Sequence, residues 1–258
     1  SASRDQHHAL RASFPLRSRH VKQRRATRYD RRVSNAVTTE IIPLFPLSNV
    51  VLFPQVHCPL HIFEPRYQQM AAAALGGSRR IGMVTVRPEH QSAMAGDPPL
   101  FEVGCIGTIQ QARRLDDGRY DIVLFGAQRF RIVEELPSDS ERLYRLARVE
   151  LLDESFDEAR EGIPLQGLRA DAIELLTQLL HFVAPDAAHE IDPRRFSGVD
   201  DTAFVSALCQ MLELPPAEKQ GLLEADGPMA RCERLVVVLQ FRLAELLGGM
   251  PRPLGALH

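Results

Sequence analysis

Two histidines and a cysteine are grouped in His57-Cys58-Pro59-Leu60-His61, and these are side chains that ligate borderline-soft metals such as zinc. Pro59 argues against the helical i,i+4 arrangement that would bring the two imidazoles together, and in an extended chain residues four apart are separated by about 13 Å. No metal is therefore expected, and His61 is read as a hydrogen-bonded structural residue. Glu64 and Arg66 flank Pro65 at a helix start. A carboxylate is favoured there by the helix dipole, and an arginine can clamp a loop or a partner carboxylate; the expected arrangement is an ion pair fixing this corner. Arg129 and Arg131 alternate with Phe130 and Ile132. Interleaved basic and aromatic residues can bind nucleic acid, but a solvated strand face is the expectation here.

Nucleophilic catalysis has little to draw on. Ser48, Ser155 and Ser206 lack a Gly-x-Ser-x-Gly elbow, and no Cys-His arrangement is defined by spacing. The only lysines are Lys22 and Lys219, and neither follows a glycine. A phosphate-cradling Gly-x-x-x-x-Gly-Lys-Ser/Thr run is absent, as is the context of a lysine base that activates a serine. No catalytic residue and no cofactor is expected, and ATP-driven proteolysis by this chain alone is not.

The elements that must hold these residues are legible from pattern. Short apolar runs punctuated by Pro and Gly predict strands at Ile41–Phe45, Arg80–Val86, Val103–Ala112, Arg119–Phe125, Gln128–Leu136 and Tyr144–Leu152. Asp116-Asp117-Gly118 predicts a hairpin turn, because Asp-Gly supplies the positive φ of a tight turn. In Tyr120–Phe125 both alternating faces are largely apolar, which predicts cover on both sides. Gly104 and Gly107 predict a bulge or bend by which a small sheet curls into a barrel. A helix begins at Pro65, carries Tyr67, Met70, Ala74 and Leu75 at helical spacing, and is expected to end on a left-handed Gly76-Gly77. The Pro- and Gly-containing stretch from Arg87 to Pro99 reads as a long loop.

Past Asp153 the spacing turns helical. Leu165 to Val183, Phe204 to Leu212 with Asp200 or Asp201 as cap, a short helix started by Pro215-Pro216 and reaching about Ala225, and Met229 to Leu247 predict four helices. Three regions result: a basic arm over 1–38, a β-barrel over 39–153 and a helical bundle over 154–258. The fold class is α+β.

The net charge of −2 hides an asymmetry, for residues 1–38 carry 10 of the 31 Lys and Arg against Asp5 and Asp30. The arm is about +8 and the rest about −10, and without periodicity it is read as disordered. A targeting segment, a nucleic-acid or membrane-surface arm, and sequence translated upstream of the true start are the three readings of it. No run approaches the roughly 18 to 20 apolar residues that span a bilayer, so a soluble, cytoplasmic protein is expected. Cys58, Cys105, Cys209 and Cys232 are far apart and read as free, mostly buried thiols.

The run Ile41-Ile42-Pro43-Leu44-Phe45-Pro46-Leu47-Ser48-Asn49-Val50-Val51-Leu52-Phe53-Pro54, followed by Pro59-Leu60-His61-Ile62-Phe63-Glu64-Pro65-Arg66-Tyr67, resembles the opening of a Lon protease N-terminal domain. The resemblance continues in order and spacing through Arg80–Val84, Phe101–Gly107, Asp117–Tyr120, Gln128–Ile132 and Tyr144–Val149. The helical part is similar to the extension of stand-alone bacterial members, notably at Pro216-Ala217-Glu218-Lys219-Gln220 and Leu222-Leu223-Glu224. The resemblance implies a PUA-like, partly closed β-barrel followed by helices, and a module that recognises polypeptide substrates without catalysing their hydrolysis. An unfolded or extended polypeptide is the expected partner, with proteolytic machinery as a further one and no membrane contact. Phe63, Tyr67, Met94 and Leu100 are the residues expected to line the binding surface, with the Arg87–Pro99 loop as a flap. Nucleic-acid binding through the arm or the barrel is the alternative.

Overall fold

The computed structural model describes residues 38–93, 96–138, 140–154, 158–183 and 198–248. Strand β1 (Thr39–Leu47) runs parallel to β3 (Arg80–Thr85) and antiparallel to β6 (Leu146–Leu151). β3 pairs with β4 (Val103–Arg114), β4 with the 16-residue β5 (Tyr120–Glu135), and the second half of β5 returns to β6. Five strands thereby close on themselves. A sixth, β2 (His57–Ile62), adds to the first half of β5 outside the ring.

Alternation along the strands divides the apolar residues between two cores. Ile42, Leu44, Val84, Val86, Leu100, Ile106, Phe130, Ala147 and Val149 fill the barrel interior. Residues of the opposite faces, Phe45, Met83, Cys105 and Leu124 among them, join a larger core with α1 (Pro65–Leu75) and the C-terminal helices. Those helices are α2 (Glu158–Val183), α3 (Asp201–Met211), α4 (Pro216–Leu223) and α5 (Gly227–Leu246). The α+β class and barrel architecture expected from the sequence are the ones observed.

Several local expectations hold for the stated reasons. Gly118 has φ +87° in the β4–β5 turn. Pro65 opens α1, and the Asp200 carboxylate accepts the Ala203 N–H at 2.9 Å to cap α3. The β4–β5 register shifts between Ile106 and Gly107, as the bend required.

Four expectations are corrected. Arg119–Phe125 and Gln128–Leu136 form one strand, because Gly126 makes room for a crossing chain instead of a turn: a Cβ there would lie 2.0 Å from the Phe53 carbonyl oxygen. β2 was not expected. α1 ends on an ordinary right-handed Gly76 at φ −77°, and Arg79 takes the positive φ (+59°) three residues later. Its strain is offset locally, since Arg79 N–H donates to the Ala74 carbonyl at 2.8 Å and its Nε to the Ile109 carbonyl at 2.9 Å. Lastly, Tyr120, Ile122 and Leu124 are buried, whereas Asp121, Val123 and Phe125 are only half-covered. This stretch of β5 has one open face.

Candidate functional site

The open face belongs to a three-stranded ribbon made by β2, the first half of β5 and the end of β4 beyond Ile109, which projects past the β3 pairing. On it lies a hollow of about 620 Å³ lined by residues of all three strands, including Pro59, Leu60, Val123 and Ala112. Its polar edge is a chain of hydrogen bonds. The Asp121 carboxylate accepts from His61 Nδ1 at 2.7 Å and from Arg113 Nη2 at 2.5 Å, and Arg119 Nη1 donates to His61 Nε2 at 3.1 Å. The Arg113 and His61 donors hold the Asp121 carboxyl below the usual carboxylate range. His57 is occupied separately, by Gln110 at 2.9 Å and by the Phe125 ring at 5.0 Å.

Beside this hollow stands Phe63, 61% exposed, its ring stacked on His61 at 6.4 Å. Phe63 immediately precedes the Glu64 N-cap of α1 and leaves most of its ring open to solvent. Tyr67, two residues into α1, is buried instead. It packs on Phe45 at 4.6 Å and donates to the Pro46 carbonyl at 3.3 Å, and burial pushes its phenol up to about 12. Leu100 is 8% exposed inside the barrel, and its backbone bridges Val86. That bridge closes the base of the Arg87–Pro99 segment, of which Pro88–Ala93 forms a 3₁₀ turn. Met94 lies outside the described residues. Of the three described residues among those expected to line one surface, only Phe63 is placed with its side chain at the surface. Glu64 and Arg66 form the ion pair expected of them, at 2.8 Å.

Arg129 corrects another expectation. It is 2% exposed, not a solvated strand residue. Arg129 and Arg231 both donate to the Glu154 carboxylate. Arg129 Nη1 also donates to the carbonyls of Leu223 and Ala225, and Arg231 Nε to that of Leu222. Two buried cations are thus balanced by one carboxylate and by the negative end of α4. Arg131, which leaves the same face of β5, stays half-exposed within 3.5 Å of Glu102. As for nucleophiles, Ser206 is fully buried in α3, and Ser155 lies outside the described residues. All four cysteines are buried and free.

Residues 41–240 match the family model described as the ATP-dependent protease La (LON) substrate-binding domain. The chain belongs to that family. Lon protease 3 of Sorangium cellulosum is 28% identical over 214 residues, covering 81% of this chain and 24% of the relative. The Lon protease of Escherichia coli is 26% identical over 200 residues, covering 77% and 24%. The chain therefore spans about a quarter of the length of the curated relatives it matches. Among solved structures, the N-terminal domain of the Mycobacterium avium complex Lon protease matches with a TM-score of 0.60 at 18% identity, covering 78% of this chain and 98% of that one. A Lon N-terminal domain protein from Xanthomonas campestris gives 0.53 at 20% identity, covering 77% and 98%. The LON substrate-binding match takes in the barrel, the ribbon and most of α5, so the helices belong to the family region as the barrel does.

Proposed function

We propose that this LON substrate-binding domain is a non-catalytic polypeptide-binding module of cytoplasmic protein quality control, which holds an extended or unfolded client for proteolytic machinery. The observation that carries the reading is the ribbon hollow with Phe63 exposed beside it, an apolar surface rimmed by hydrogen-bonding groups on a domain of a substrate-binding family. The similar full-length proteins are proteases, whose substrates are polypeptides. A groove contact suits this surface better than strand addition. Gly126 N–H donates to the Val56 carbonyl, which sets the phase of pairing so that Pro59, lacking an N–H, falls on the free edge of β2. Proline in an edge strand obstructs pairing with another chain.

The nucleic-acid alternative has lost one of its barrel residues, since Arg129 is consumed internally. The test is fluorescence anisotropy of the full chain, and of a version lacking residues 1–38, against a labelled unfolded polypeptide and a labelled RNA oligomer at low and high salt. Saturable polypeptide binding that survives truncation and salt is expected. Phe63→Asp should weaken it roughly tenfold, the effect of losing one apolar anchor, with thermal stability unchanged. RNA binding without polypeptide binding would overturn the proposal.

A further inference from the structure

A second hollow, of about 450 Å³, lies where the barrel meets the bundle, and its chemistry differs from that of the ribbon. Arg87 two residues past β3, Arg131 on β5 and Arg234 on α5 converge on it, with Phe101 and Val103 as apolar wall and Glu102 and Glu224 as the acidic lining residues. None of the three arginines is saturated. Arg87 Nε donates to the Leu100 carbonyl at 3.2 Å, and its guanidinium lies 5.2 Å from the Phe101 ring centroid. Arg234 Nη1 donates to the Gly221 carbonyl at 2.7 Å, and the Arg131–Glu102 pair is open at 3.5 Å. An arginine presents five N–H donors, so each keeps several for a ligand. Behind the wall, Gln220 is buried; its amide nitrogen donates to the Val103 carbonyl and to Glu224, fixing two lining residues.

We infer that this hollow binds a carboxylate of the bound polypeptide, either its C-terminal group or an Asp or Glu side chain. The inference rests on the polypeptide-binding reading and names a recognition element for it. Three cations against two carboxylates leave a lining charge of +1, which matches a monoanion. A phosphate dianion would exceed that lining charge by one. The planar guanidinium fork suits a carboxylate, and the apolar wall accommodates the neighbouring side chain.

The experiment pairs changes in peptide and protein. A short fluorescein-labelled peptide rich in Leu and Phe is titrated into the full chain with a free or amidated C-terminus, and with its Asp and Glu kept or replaced by Asn and Gln. The protein is wild type, Arg131→Gln/Arg234→Gln, or Arg148→Gln as a charge control on the barrel. Loss of the recognised carboxylate should weaken binding by wild type and by Arg148→Gln about tenfold and leave the double variant indifferent. Equal peptide discrimination by all three proteins, or none by wild type, overturns the inference while the polypeptide-binding reading stands. If no peptide binds wild type, both fall. Binding of an RNA oligomer that depends on Arg131 and Arg234, with no peptide discrimination, would make the hollow a phosphate site.

Discussion

Glu154 is the residue on which the barrel-to-helix contact turns, since Arg129 and Arg231 share it and neither has another carboxylate among the described residues. Glu154→Gln leaves two buried guanidinium groups short of a counter-charge and should cost about 3–5 kcal/mol, measurable as a lowered urea midpoint. The cysteines make a separate prediction. Burial pushes Cys209 and Cys232 up to about 12 and Cys105 further, from an ordinary 9.0. A thiol raised in the folded state keeps its proton while the unfolded chain loses it. Its contribution to stability is therefore complete below pH 9 and declines between pH 9 and about 12. The melting temperature should fall across that window. A thiol reagent at pH 8 should find few fast-reacting groups in the native protein and all 4 after denaturation.

At the scale of elements, two glycines separate conformational need from mere occurrence. Gly126→Ala would drive a methyl group into the Phe53 backbone, which cannot yield as a side chain would, and should destabilise by several kcal/mol, on the order of a severe core overpacking. Gly167→Ala in α2 meets nothing within 4 Å and should stabilise by roughly 0.5–1 kcal/mol; paired thermal melts check both signs. The sequence disclosed elements whose signals are local: the Asp-Gly turn, Pro65 opening α1, and Asp200 capping α3. β2 was hidden because Pro59 reads against a strand until the partner is known, and its missing N–H is harmless only because it faces away from β5. Arg129 and Arg131 show another limit. Alternation puts both on the outer face of β5, but only the fold decides that α4 covers one and leaves the other open. Tyr67 and Leu100 fell short as surface residues on the same ground, for an apolar pattern names buried and client-facing residues alike.

Across the whole molecule, the larger core passes without a break from barrel residues such as Phe53, Met83 and Cys105 to Leu165 of α2, Phe204 of α3 and Leu235 of α5. A version ending at Glu154 would expose that apolar face to water, and it should elute as aggregates in size-exclusion chromatography where the full chain gives a discrete peak. Among the described residues, no helix is long and apolar enough to cross a membrane. The continuity of β5 has a mechanical meaning as well. Val123 in the ribbon hollow and Arg129, which grips the carbonyls at the end of α4, lie on one strand about 20 Å apart, with no intervening loop to absorb motion. A load placed on the ribbon would pass along that continuous strand to the grip of Arg129 on the end of α4.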